Sequence, residues 1–290
     1  MRKIIILIPV FNDWESLEKL IFEIYNNTKD LKNILIDFLI VNDASSITQD
    51  KFKIPKEIKS IKILNMKKNK GHARCNAFGI RYIIQNEHFD NIILMDGDGE
   101  DRPIEIKDMI KKLINNPTAS IVAKRIKRSE GYFFQFLYLM HKIITLFFTG
   151  KKINFGNYSC LTKKDAEHIS SKASLWSSYS GTIKKNLKNL SEVESIRGIR
   201  YYGPSQMSIF KLLIHSFSIM AVFKYQVYAR SVFLILILSF LINNFGSFVI
   251  FLQILIALFN LIIFLVSLRE KKDELLNSQE NLINVDVITH

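Results

Sequence analysis

Only two cysteines occur in the 290 residues, Cys75 and Cys160. They leave no disulfide framework, have no metal-site spacing, and fit a reducing compartment in which both are structural. The opening Met1-Arg2-Lys3 runs straight into a short strand-like stretch ending at Pro9. That start lacks the length and cleavage site of a signal peptide, so nothing is expected to export the N-terminal part. No zinc-finger or RNP-type signature is present, and nucleic acid is not an expected partner. Internal repeats and low-complexity stretches are also missing. Acidic residues are scarce, 27 Asp and Glu against 40 Lys and Arg, for a net charge of +13.

The most informative absence is local. From Ser231 to Leu268 there is no charged residue in 38 positions, and a helix crosses the hydrocarbon core with about 20. Asn243-Asn244-Phe245-Gly246-Ser247 interrupts the run, which predicts two short spans, 229–243 and 247–268, forming a transmembrane hairpin rather than a buried core hairpin. Lys224 and Arg230 precede the first span, and Arg269, Lys271 and Lys272 follow the second, while the turn is uncharged. The positive-inside rule then puts both ends on the cytoplasmic side of a multi-pass membrane protein. With a hairpin present, the basic excess is best explained by anionic headgroups.

What is present upstream reads as an alternation of strands and helices. Lys3–Pro9, Ile36–Val41, Ile61–Leu64, Asn91–Met95 and Ala119–Ala123 are apolar runs of strand length. Helical spacing separates them, as at Leu17, Leu20, Ile21 and Ile24. Such a pattern implies an α/β domain with a mainly parallel sheet, whose ligands bind beyond the carboxyl ends of the strands. Two aromatic-rich segments follow. The helix from Tyr132 to Phe148 either covers the domain or lies at a membrane interface, and Met207–Tyr228 reads as interfacial. The expected division is a catalytic domain at 1–205, a juxtamembrane amphipathic segment at 206–229, the hairpin at 230–268 and a polar, loosely ordered tail at 269–290.

Four carboxylates fall within six positions in Asp96-Gly97-Asp98-Gly99-Glu100-Asp101, directly behind a strand. In a basic chain they repel one another unless a cation sits among them. Hard divalent ions prefer carboxylate oxygens and leave coordination positions for phosphate, so Asp-x-Asp at a strand end points to a metal-diphosphate site. His72, His141 and His215 have no ligand spacing and are read as ordinary packing or surface residues.

Four loops, Ile8-Pro9-Val10-Phe11-Asn12-Asp13, Val41-Asn42-Asp43-Ala44-Ser45, Asn69-Lys70-Gly71 and Met95–Pro103, occur in an order and spacing that resembles the family 2 glycosyltransferases of GT-A fold, whose core is a Rossmann-like mixed sheet. The resemblance is nearest to the polyprenyl-phosphate branch, with dolichyl-phosphate mannose synthase and bacterial undecaprenyl-phosphate glucosyltransferases. Arg197-Gly198-Ile199-Arg200-Tyr201-Tyr202-Gly203-Pro204-Ser205-Gln206 is similar to the branch's segment before its membrane helices. Gln206 stands where that branch has Lys, and Glu100 where it has Gln.

The resemblance implies that Pro9, Asp13, Asp43 and Gly71 bind the nucleotide sugar. It makes Asp98 the principal ligand of Mg²⁺ or Mn²⁺, with Asp96 at the ribose or the metal. Arg125 would face the phosphates, and Arg128, Arg200 and Ser205 the acceptor phosphate. It further implies inverting transfer from a UDP- or GDP-sugar to a polyprenyl phosphate at the cytoplasmic face. Family relatives can associate through their membrane segments, but the hairpin carries no Gly-x-x-x-Gly ladder to argue for a homo-oligomer, and oligomeric state stays open. If the acceptor is instead a hydroxyl of a lipid-linked saccharide or surface polysaccharide, a base is required and Asp101 or Glu100 is the candidate. A non-enzymatic membrane scaffold is the remaining reading.

Overall fold

In the computed structural model, residues 1–47, 52–127, 132–204 and 208–289 are described. In chain order the elements are β1 (Arg2–Val10), α1 (Trp14–Thr28), β2 (Ile34–Asn42), β3 (Ile61–Met66), α2 (His72–Asn86), β4 (Asn91–Leu94), α3 (Ile106–Asn115), β5 (Ser120–Lys127) and α4 (Tyr132–Thr149). They continue with β6 (Phe155–Thr162), α5 (Lys163–Ile169), α6 (Tyr179–Asn186), β7 (Leu190–Ile196), α7 (Ile209–Ala221), α8 (Lys224–Ser239), α9 (Ile242–Ser267), α10 (Lys272–Leu276) and β8 (Leu282–Ile288). Strands pair in the order β7-β5-β6-β4-β1-β2-β3-β8. The β4-β1-β2-β3 block and the β5-β7 pair are parallel, while β6 and β8 run antiparallel to their neighbours. The sheet is therefore mixed and mainly parallel, as the alternating pattern predicts.

Period-two alternation along β1 sorts its side chains to two apolar layers. Ile5 and Leu7 join Phe78 of α2, Trp176 and Tyr179 on one face. Ile4, Ile6 and Ile8 join Leu17 and Ile21 of α1 with Met109 and Ile110 of α3 on the other. Helix α2 lies so close to the sheet that a Cβ on Gly79 would sit 2.4 Å from the Leu7 side chain. With both faces covered, the loops at the carboxyl ends of β1, β2 and β4 are left to form a crevice.

The segment expected to be a loosely ordered tail is part of the sheet. Leu282–Ile288 pairs antiparallel with β3, and Leu275 of α10 is fully buried in the layer around α2. Asn65 donates to Asn284 at 3.0 Å and Lys67 to the Glu280 carbonyl at 2.7 Å, while Arg81 donates to the Leu276 carbonyl at 3.0 Å. The polar side chains that gave this stretch the look of a tail satisfy β3 and α2 from the sheet edge.

Between β7 and β8 the chain is apolar and helical. Helix α7 meets α8 at a bend of 87°, and the stretch Ile242–Leu276 is long and apolar enough to cross a membrane, with 11% of its most apolar window buried. So little burial excludes a core helix. Helix α9 packs antiparallel to α8, with Gln253 donating to the Ile235 carbonyl and Ser239 Oγ, and Lys224 pairs with Glu270 at 3.2 Å where the two helices leave the sheet domain. Phe240–Leu241 form a turn, and the helix drawn from Ile242 is itself broken by a kink at Gly246 (φ 45°), inside the expected interruption at 243–247. Arg230 of α8 donates to the Leu146 and Phe147 carbonyls, so a guanidinium satisfies the last turn of α4.

If β8 is integral to the fold, Leu275→Ala costs about 2–5 kcal/mol and lowers the melting temperature by several degrees. An unchanged melting curve would show the docked tail to be dispensable.

Candidate active site

The crevice is built from loops that hold one another. After β1, the Asn12 side chain accepts from the backbone N–H groups of Ser46 at 2.8 Å and Ile47 at 3.1 Å, tying the first loop to the second. At the end of β2, Asp43 is 4% exposed and accepts from the N–H of Lys70 at 2.7 Å and of Gly71 at 2.8 Å. Gly71, with φ 89°, opens α2 in a conformation that L side chains rarely adopt. Burial raises the Asp43 carboxyl, and the two N–H donors pull it back.

The acidic loop follows β4 and folds inward. Asp101 is 3% exposed, accepts the Asp96 N–H at 3.0 Å and lies 3.6 Å from Arg125. Asp96 is met by His72 at 3.0 Å and accepts from Asn157 Nδ2 at 3.3 Å. Asp98 is bridged by Arg200 at 2.8 Å, and the same guanidinium also pairs with Asp13. Glu100 pairs with Arg197. Backbone bonds close the arrangement, from Gly198 N–H to the Glu100 carbonyl at 2.8 Å and from Tyr201 N–H to the Asp98 carbonyl at 2.9 Å. The Tyr201 ring covers Gly99, where a Cβ would come within 2.5 Å of it.

Five carboxylates (Asp13, Asp96, Asp98, Glu100 and Asp101) thus face three guanidiniums, those of Arg125, Arg197 and Arg200. The imbalance registers in their protonation. Burial, with Asp96 and Glu100 nearby, pushes Asp98 up to about 6, and burial with Asp96 pushes Asp101 up to about 7 against the pull of Arg125. Burial works against the charge on Asp96 too, yet His72 and Arg125 hold it well below the usual carboxylate range. Burial would lower His72, but Asp96 outweighs it and the imidazole is raised.

This donor set fits a divalent cation. The acids outnumber the guanidiniums, and Asp96 and Asp98 offer the hard oxygen ligands that Mg²⁺ or Mn²⁺ take. Among the described residues no three His, Cys, Asp or Glu side chains close on a metal by themselves.

Of the residues singled out in the sequence, Pro9, Asp13, Asp43, Gly71, Asp96, Asp98, Asp101, Arg125 and Arg200 all belong to this crevice or its walls. Arg128 and Ser205 lie outside the described residues. Arg200 meets Asp98 and Asp13, on the side expected to bind the donor. His72, read as ordinary packing, is instead a partner of Asp96, because α2 begins beside the end of β4. Asn157 of β6 and Arg197 were not singled out at all. His215 of α7, also read as ordinary packing, is pushed down to about 4, by burial first and then by the charges of His72, His141 and Arg125. The only early signal for His72 was its place one residue after Gly71.

Asp43→Ala removes the acceptor of two buried N–H groups. It should cost about 1.5–3 kcal/mol, read as a lower melting temperature, and should weaken nucleotide binding in calorimetry. Unaltered nucleotide affinity would separate Asp43 from the site.

Two crystal structures of glucosyl-3-phosphoglycerate synthase from Mycobacterium tuberculosis share this fold. One, in complex with Mn²⁺, UDP-glucose and phosphoglyceric acid, has a TM-score of 0.53 at 12% identity, covering 78% of this chain and 80% of that one. The other, with Mn²⁺, UDP and phosphoglyceric acid, has a TM-score of 0.54 at 12% identity and covers 78% of each chain. At such identity the likeness is one of fold. In sequence, 112 residues are 28% identical to Uncharacterized protein MJ0544 of Methanocaldococcus jannaschii, a match that spans 38% of this chain and 46% of that protein. Residues 5–174, which carry every loop of the crevice up to Arg125 together with Asn157, match the model described as Glycosyl transferase family 2, and the chain belongs to that family.

Proposed function

We propose that this chain transfers a sugar from a UDP- or GDP-sugar to the phosphate of a membrane polyprenol, at the cytoplasmic face of the membrane in which α8 and α9 anchor it. The observation that carries the reading is the meeting of two features. An acidic crevice suited to a metal-diphosphate lies at the carboxyl edge of the sheet, and the segment after β7 that holds it through Arg197 and Arg200 leads on into α7 and the apolar helices.

The donor half rests on family membership and on the charge of the loop. Asp98, with Asp96, would hold Mg²⁺ or Mn²⁺, and the Mycobacterium tuberculosis enzyme of the same fold was crystallised with Mn²⁺ and UDP. The metal supplies Lewis-acid neutralisation of the departing diphosphate. Arg125, aimed into the loop beside Asp101, adds a planar fork suited to phosphate oxygens. Asp43 fixes Lys70 and Gly71, and Asp13 with Pro9 forms the wall for the nucleoside. An oxygen of the acceptor phosphate attacks the anomeric carbon from the face opposite the diphosphate. The new C–O bond forms as the bond to the nucleotide breaks, with inversion.

A phosphate acceptor is already anionic and needs no general base, so the main requirement is in-line placement. That agrees with the carboxylates. Asp101 is turned inward onto the Asp96 N–H and Arg125, and Glu100 is engaged by Arg197, so neither is presented to an acceptor hydroxyl. This favours the lipid phosphate over a sugar hydroxyl.

Sheet topology supports a hairpin anchor. Strands β7 and β8 flank the apolar helices in the chain and belong to one sheet, so the number of membrane crossings between them is even. A lone spanning α9 is incompatible with that count. Either α8 and α9 cross as a pair or neither crosses. The proposed division is a catalytic domain at 1–205 completed by β8, a juxtamembrane segment at 206–229 and the hairpin at 230–268.

Purified protein in detergent, given undecaprenyl phosphate, Mn²⁺ and a panel of labelled nucleotide sugars, should yield a lipid-extractable product with one donor. No such product with any donor sinks the polyprenyl reading. Asp98→Asn should lower the rate about 100-fold or more, and a variant that keeps the wild-type rate removes Asp98 from the metal site. For the anchor, a thiol reagent that cannot cross the bilayer should label Asn277→Cys only from the side of the catalytic domain. Labelling of that site from the opposite side rules the hairpin out.

A further inference from the structure

Arg200 is the residue at which the structure departs furthest from its expected role. The resemblance gives it to the acceptor phosphate, yet its guanidinium bridges Asp98 at 2.8 Å and Asp13, the two carboxylates placed at the metal and at the nucleotide. The fork is anchored by its own turn, with Nε donating to the Tyr202 carbonyl at 2.9 Å. The backbone on which it stands is fastened independently. Gly198 and Tyr201 donate to the acidic loop, the Tyr201 hydroxyl donates to Glu23 at 2.6 Å, and Lys19 lies 4.5 Å above the Tyr201 ring. The side chain can therefore leave the carboxylates while the main chain stays clasped over the loop.

We propose that Arg200 is the internal counter-ion of Asp98 and Asp13, the cation that the metal displaces, and that on displacement it turns to the diphosphate arriving with the metal. This rests on the donor reading above and adds to it a defined exchange. Asp98 and Asp13 share one guanidinium. A divalent ion taken by Asp98 would repel that guanidinium toward the nearest new negative charge, the phosphates. One arginine thereby neutralises the loop without metal and the nucleotide with it. Metal and nucleotide are then coupled through it, because metal alone must displace Arg200 with nothing to receive it. Its position is that of a positioning residue for the donor, before any contact with an acceptor.

The exchange predicts effects of opposite sign on two ligands. With full-length protein in detergent, Mn²⁺ binding is read from the free-ion electron paramagnetic resonance signal, first with MnCl₂ alone and then with UDP. Arg200→Gln should bind Mn²⁺ alone roughly 10- to 100-fold more tightly than wild type, the factor that corresponds to one charged hydrogen bond. It should bind UDP in the presence of Mn²⁺ more weakly by a similar factor. Arg200→Lys keeps the charge but cannot bridge two carboxylates, and should fall between the two for both ligands. If Arg200→Gln melts below the working temperature, the Arg200→Lys shifts alone decide. Mn²⁺ affinity equal to or below wild type, or both affinities changing in the same direction, overturns the proposal. Wild type that binds UDP with Mn²⁺ while the variants gain no Mn²⁺ affinity leaves the donor reading standing and this inference false. Absence of Mn²⁺ binding by every protein, with or without UDP, overturns both.

Discussion

Crowding four carboxylates, one of them buried, into one loop is the constraint on which the rest of the molecule depends. Removing one partner of a buried ion pair costs about 3–5 kcal/mol, which applies to Asp101, and the part-buried acids beside it repel one another, so each calls for a cation or donor from elsewhere in the fold. Those partners come from four places: Arg125 from β5, Arg197 and Arg200 from the segment after β7, His72 from the start of α2 and Asn157 from β6. The order of the sheet follows this need. Pairing β7 parallel to β5 brings the two later arginines to the end of the sheet at which β4 releases the loop. Without that pairing, Asp98 and Glu100 would lose their guanidinium partners.

The same geometry joins the two halves of the proposed reaction. The donor crevice opens at the carboxyl ends of the strands, and β7 ends at that edge before the chain enters α7. A lipid acceptor does not need to leave the bilayer if the enzyme lays its crevice along the membrane surface. Helix α4 fits that arrangement, with Phe136, Leu139, Ile143 and Phe147 exposed at helical spacing and its last turn held by Arg230 of α8. The helix's outer face is apolar where a domain in water would carry charge.

Legibility in the sequence divides along physical lines. The five strands from β1 to β5 were readable because both sheet faces are buried, which leaves nearly continuous Ile and Leu runs, and the loops that follow them are punctuated by Asp, Asn and Gly. The acidic loop could be read because four like charges in six residues are improbable without a purpose. Its partners could not. Arg197 and Glu100 are 97 residues apart, Arg200 and Asp98 are 102, and Arg200 and Asp13 are 187; ion pairs at such separations leave no local pattern. Glu100, which differs from the residue usual in the branch it resembles, acquires a role only when Arg197 is seen beside it. β8 was missed for another reason. Ile283, Val285 and Val287 alternate with Asn284 and Asp286, a usable period-two signal, but the polar stretch before it and the sheet-edge position, where Ile283 and Val287 stay exposed, masked it.

The pairing of β8 with β3 also orders events in time. On the ribosome, Asn65 emerges long before its partner Asn284, 219 residues later, and the whole uncharged hairpin is synthesised in between. Until then β3 is a bare sheet edge, a template for pairing with the wrong chain. The catalytic sheet is completed only when the apolar helices have been made and the chain has come back, so with the anchor proposed above, insertion into the membrane would be a stage in the folding of the catalytic domain. A chain that stalls before that return carries an open strand and an unsheltered apolar segment together, the combination that chaperones and proteases remove.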